Sequence, residues 1–260
     1  MKLIPRNHRL QADGRTGWRQ SLCSRLLPML VLVGCGTWLG NPNEDDEDDR
    51  LKNQPTAEVN LGFSSPESQT HDITDLQGNK IGTITLTVNR HSVTDIKAFR
   101  VGASTPDIVF EGPYVVDLLA GSVTPQPEPR KLLAGFYARS AFTGHVLKKD
   151  EVAEITEVDP LIGLTSIVKG QYQIGSTEGE LALEISWNQE LGVTNQLDNA
   201  VTSRIVADTA NHMVVNMDYS KWFRIESAAD LDNKDTIRDI ILRGLKENTS
   251  FTVQQVGEDD

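Results

Sequence analysis

The chain is predicted to be mainly β, an antiparallel β-sandwich or a pair of them, with one C-terminal amphipathic helix. Three observations predict this. Alternation with a period of two runs through residues 81–88, 181–187 and 213–219, which puts apolar side chains on one face and polar ones on the other, as a half-buried strand requires. Further short apolar segments follow at steady spacing, separated by Gly, Pro, Asn or Asp, with few helical patterns between them. A single stripe at helical spacing, Ile237, Ile240, Ile241 and Leu245, stands near the end.

Taken in order, the chain begins with a basic segment carrying Lys2, Arg6, Arg9, Arg15, Arg19 and Arg25, followed by an apolar run from Leu26 to Val33. That run is far shorter than the roughly 20 residues of a membrane-spanning helix and fits the apolar region of a signal peptide. Its end, Leu32-Val33-Gly34-Cys35, resembles the lipobox of bacterial lipoproteins, where a peptidase cuts before the cysteine and the cysteine carries the lipid. The resemblance implies a signal peptide over residues 1–34, palmitate on Cys35, and the membrane as a partner through that anchor. Gly36 stands where many lipoproteins of the inner membrane carry a retaining aspartate, so the bacterial outer membrane is the expected location, facing either side. Residues 35–56 read as an acidic tether, because the six consecutive acids from Glu44 to Asp49 repel one another and cannot pack.

Charge and cysteine usage narrow the partners. The net charge of −12 becomes −17 once residues 1–34, with six basic side chains and one acid, are removed. Phosphate backbones repel such a protein, so no nucleic acid is expected as a partner. The two cysteines are Cys23, inside the signal, and Cys35, so the body has no disulfide, thiolate nucleophile or cysteine metal site.

The folded body is expected from Ala57, as a β-sandwich domain over residues 57–150 and a second β-rich unit over residues 151–260. In the first, Ile84, Leu86 and Val88 alternate with Thr83, Thr85 and Thr87, after turn chemistry at Gln77-Gly78-Asn79. Strands are expected at residues 93–101, 108–110, 114–119 and 136–146, with Pro125, Pro127 and Pro129 making a loop. Asp159-Pro160 marks the boundary region. In the second unit, strands are expected at residues 166–174, 181–187, 201–207, 213–219 and 251–253. Asp232 or Asn233 is expected to cap the helix, which should lie on the edge or open face of the second sheet.

Chemical motifs are sparse. No Gly-x-Ser-x-Gly pentapeptide and no His-Glu-x-x-His pair occurs, so neither a nucleophile elbow nor a helical zinc site is expected. His71, Asp72 and Asp75 form a triplet of potential ligands of a type common in surface loops. Residues 230–235 fail as a calcium loop: Lys234 replaces an oxygen ligand, no turn glycine follows, and Ile241 replaces the closing glutamate. No catalytic residue, metal site or cofactor is therefore expected. Trp187, in phase with Leu181, Leu183 and Ile185, reads as core, whereas Tyr219 and Trp222 are the candidate ligand-binding aromatics, able to stack on sugar rings if exposed.

The stretch Val116-Asp117-Leu118-Leu119-Ala120-Gly121, with Leu133-Ala134-Gly135-Phe136-Tyr137 after the proline loop, resembles a pattern in uncharacterised bacterial surface lipoproteins with a prealbumin-like or carbohydrate-binding-like β-sandwich. The segment from Asp218 to Phe223 is similar to the later part of such proteins. The resemblance implies a fold and no catalytic residues. The functional expectation is a binding or structural role, with a glycan or an envelope protein as partner, rather than an enzyme. A polysaccharide hydrolase using paired carboxylates is the alternative.

Overall fold

The computed structural model describes residues 54–194 and 204–255. Signal, lipobox, Cys35, most of the tether and the acidic end of the chain lie outside the described residues. Among the described residues no helix is long and apolar enough to cross a membrane. The body is mainly β, two sheets with one C-terminal helix of several turns.

The smaller sheet has four strands in the order β14-β13-β1-β7, where β1 is Thr56–Ser64, β7 Arg130–Leu133, β13 Asn211–Met217 and β14 Thr249–Gln255. β1 and β13 run parallel, with Val59 opposite Asn211 and Ser64 opposite Asn216, whereas the other strand pairs among the described residues are antiparallel. Ala57, Val59 and Leu61 alternate into the core along β1, a period-two signal that is present in the sequence although no strand was expected there.

The larger sheet is built on β3, Lys80–Arg100, a strand of 21 residues. Its first part pairs with β2 (Thr70–Thr74) and β9 (Ser166–Ile174). Its later part pairs with β4 (Ile108–Phe110), β5 (Tyr114–Asp117) and β8 (Gly135–Gly144). Two strands, at residues 81–88 and 93–101, were expected here. The structure joins them, and the strand bends instead at Asp95, which has φ +48° inside a register shift against β8. β6 (Ser122–Thr124) pairs with β5, β10 (Thr177–Ile185) with β9, and β11 (Glu190–Thr194) and β12 (Arg204–Ile205) with β8. The strand expected at residues 201–207 is thus two residues long where it is described.

Strands from both sides of residue 150 pair with each other: β3 with β9, β8 with β11, β1 with β13. One core runs between the sheets, with Val59, Leu61, Met213 and Val215 from the smaller and Ile84, Leu86, Leu181 and Leu183 from the larger. Residues 145–165 fold as an irregular lobe, where Leu147, Val152 and Leu161 pack on Val115 and Ile167. Arg90 fixes the lobe to β3 by donating two hydrogen bonds to Asp159, at 3.0 and 2.9 Å.

Local chemistry explains the remaining elements. After β5, the Asp117 carboxylate accepts from the backbone N–H groups of Leu119 and Ala120, and Gly121 takes φ +62°, so the Val-Asp-Leu-Leu-Ala-Gly stretch is a strand end with its turn. A 3-10 turn, Tyr219–Lys221, and a one-turn helix α1, Ala229–Asp232, lead to α2, Lys234–Glu247. Asn233 caps α2 by accepting from Asp235 N and Thr236 N, both at 3.1 Å. Its buried stripe is Ile237, Ile240, Ile241, Gly244 and Leu245, facing β10, β11 and β14.

Candidate functional site

The outer face of the larger sheet is where side chains able to hydrogen-bond outward accumulate. Residues directly opposite each other in antiparallel strands point to the same side of a sheet. Register therefore places Thr70, Thr85, Gln171 and Glu180 in one row across β2, β3, β9 and β10, and Asp72, Thr83, Gln173 and Glu178 in the next. Three interstrand steps of about 4.8 Å make each row about 14 Å long. The inward neighbours Ile73, Ile84, Leu86, Tyr172 and Leu181 are buried, so core packing fixes the face from beneath.

Thr83, Thr85, Gln171, Gln173, Glu178 and Glu180 line an open cleft of about 470 Å³. Thr70 and Thr85 share a hydroxyl hydrogen bond at 2.8 Å, and Asp72 pairs with Lys80 at 2.6 Å. Among the described residues, the Gln171, Gln173, Glu178 and Glu180 side chains have no intramolecular partner and face water. Gly179, between the two glutamates, leaves room for Tyr172: a Cβ there would lie 2.4 Å from the tyrosine oxygen. The Tyr172 hydroxyl instead donates to Asp232 at 2.9 Å, tying the sheet to α1.

This arrangement suits recognition better than bond cleavage. Glycoside hydrolysis needs two carboxyl groups flanking the scissile bond. Glu178 and Glu180 stand side by side on one strand and approach a bound chain from the same side.

A second polar group lies in the interior. Trp187 Nε1 donates to Ser166 Oγ at 2.9 Å, the Ser166 hydroxyl donates to His91 Nδ1 at 2.8 Å, and His91 Nε2 donates to Asn89 Oδ1 at 2.8 Å. This order resembles that of a hydrolase triad, but Asn89, His91 and Ser166 are fully buried and a substrate does not reach them. Burial pushes His91 down to about 3, so it is neutral at physiological pH. Motif searching misses the group because its members come from β3, β9 and the segment after β10.

The candidate residues named from sequence take these places. Tyr219 and Trp222 are 0% and 1% exposed, so they offer no open platform for sugar rings. Tyr219 donates its hydroxyl to the carbonyls of Pro66 and Ser68, at 2.9 and 3.1 Å, and Trp222 packs edge-on against His91. Trp187 is core, 5% exposed. His71, Asp72 and Asp75 separate: His71 packs under Tyr219, Asp72 pairs with Lys80, and Asp75 accepts from Gln77 and Asn79 in its turn. Asp230 accepts from Glu226 N and Ser227 N, a capping role. Cys35 lies outside the described residues. The two-row face was missed. Its signal was the alternating Thr83-x-Thr85, Gln171-x-Gln173 and Glu178-x-Glu180, whose alignment depends on a register that one sequence does not display.

No protein-family model matches the chain. No curated protein matches it either. Among solved structures it is similar to MbnP from Methylosinus trichosporium, a likeness between β-rich domains, with a TM-score of 0.33 and 12% identity, covering 78% of this chain and 98% of that one.

Proposed function

We propose that this chain is a lipid-anchored protein of the bacterial outer membrane whose β-body binds a glycan on the outer face of β2, β3, β9 and β10, without catalysing a reaction. The observation that carries the reading is the pair of rows of hydroxyl, amide and carboxylate groups over an open cleft, with four side chains that have no partner among the described residues. Such groups pair with sugar hydroxyls. The rows hold no aromatic or aliphatic anchor of the kind that dominates protein–protein interfaces, which disfavours an envelope protein, and recognition of a glycan there rests on hydrogen bonds rather than ring stacking.

The test is binding of the purified chain to an array of cell-envelope oligosaccharides, compared with Gln171→Ala/Gln173→Ala. Each neutral hydrogen bond lost weakens binding by about 3- to 10-fold. Full binding by the double variant overturns the assignment. Membrane attachment is assigned to Cys35 from the lipobox-like sequence, and palmitate labelling is expected to vanish in Cys35→Ala. Equal labelling overturns the anchor, and recovery of the wild type in the inner-membrane fraction overturns the location.

A further inference from the structure

We infer that the ligand of this face is an acidic glycan, whose uronic-acid-type carboxylate seats between Arg224 and Arg243; this rests on the glycan-binding reading. Beside the two-row face lies a groove of about 370 Å³, with Asp72, Thr74, Lys221, Arg224, Arg243 and Glu247 on its walls. Asp72 belongs to both, since it opens the second row of the face and reaches the edge of the groove. A polymer lying along the rows therefore runs into the groove at the β2 end.

The two arginines arrive on separate elements. Arg224 follows the 3-10 turn and bridges to Thr74 of β2, while Arg243 projects from α2. Each is held by a backbone carbonyl: Arg243 Nη2 donates to Arg224 O at 2.8 Å, and Arg224 Nη2 donates to Leu76 O. Neither forms an ion pair with a carboxylate among the described residues, and both are exposed. The other charges of the groove are committed or few. Lys221 pairs with Asp218 at 2.7 Å and Asp72 with Lys80 at 2.6 Å, leaving Glu247, one turn beyond Arg243, as the remaining acid.

Guanidinium groups pinned at one end keep their other N–H groups for an outside acceptor, and their planar fork matches a carboxylate. The chain carries a net charge of −12, which repels acidic ligands from most of its surface. Two arginines facing one uncommitted acid, Glu247, make the groove locally positive, and salt screening confines the effect to about 8 Å. The groove thus admits a carboxylate where the rest of the molecule resists one, and the row residues bind the neutral hydroxyls beside it.

The probes are a tetrasaccharide that is neutral except for one terminal galacturonate, its methyl ester, the galacturonate monomer and inorganic phosphate, titrated calorimetrically against the full chain. Wild type is expected to prefer the acidic tetrasaccharide to its ester. Arg224→Gln/Arg243→Gln loses about tenfold or more in affinity for the acid, as does Arg224→Lys/Arg243→Lys, which keeps the charge without the fork. Both keep the wild-type thermal transition, as a folded protein would, and lose less affinity for the ester than for the acid. Arg238→Gln, on α2 outside the groove, binds like wild type. An unchanged preference for acid over ester in the groove variants overturns the inference and leaves the glycan reading standing. Monomer binding that needs the arginines, with no oligosaccharide bound more tightly, upholds the carboxylate seat and overturns the glycan reading. Phosphate binding more tightly than galacturonate, or an equal loss in Arg238→Gln, overturns the carboxylate assignment.

Discussion

His91 has two ring nitrogens and both are committed, one accepting from Ser166 and the other donating to Asn89. Only a neutral ring does both, and burial holds the group near 3 against an ordinary value of 6.5. The unfolded chain therefore takes up a proton at this residue below about pH 6.5 while the folded chain does not. Stability is complete above that pH and falls as acid is added, by up to about 1.4 kcal/mol per pH unit. His71, also pushed down by burial, contributes with the same sign. Chemical denaturation at pH 6.0, 5.5 and 5.0 should show the wild type losing stability more steeply than His91→Gln, by close to one proton's worth of slope. Carboxylates are common to both proteins and cancel in the difference. Parallel slopes would mean that the ring is charged in the folded state.

At the scale of elements, that same group explains why β3 is hard to read. Ile84, Leu86 and Val88 announce a strand, and Val93 onward announces another, but Asn89, His91 and Ser92 between them are polar. All three are fully buried, paired with distant strands or enclosed by them, so β3 continues where hydropathy breaks. The helix was legible because its stripe and its cap are both local. Gly244 on that stripe shows where local reasoning stops. Alanine is favoured over glycine in a helix by about 1 kcal/mol, so propensity alone makes Gly244→Ala stabilising. A Cβ there would lie 2.5 Å from Trp222 Cγ and 2.6 Å from Cδ1. Trp222 is 1% exposed and packed edge-on against His91 and Tyr219, so it has little room to yield. Overpacking costs about 1–3 kcal/mol and decides the sign. Gly244→Ala should lower the thermal midpoint, and the same change in a Trp222→Leu background should cost less. A raised midpoint in the single variant would show that the indole moves aside.

The whole molecule is organised by pairings between residues far apart in sequence. The parallel pair β1 and β13 joins residues 59–64 to 211–216, and β9 reaches back across β4 to β8 to lie beside β3. Composition and periodicity reveal that strands exist, while partner choice depends on register and on which polar rows face out. That is why the mainly-β class was legible and the two-row face was not. The same topology bears on the division of the body near residue 150. A fragment of residues 57–150 would leave β3 without β9, β8 without β11 and β1 without β13, exposing Val59, Leu61, Ile84 and Leu86. Residues 151–260 would keep the β9–β10 hairpin, the β13–β14 pair and α2, but lose the facing half of the core. Hairpins without a covering layer are marginal in water. Each fragment expressed alone should therefore show no cooperative thermal transition, whereas the two mixed should recover one, since the core forms only across the boundary. A sharp transition in either fragment alone would establish an autonomous domain.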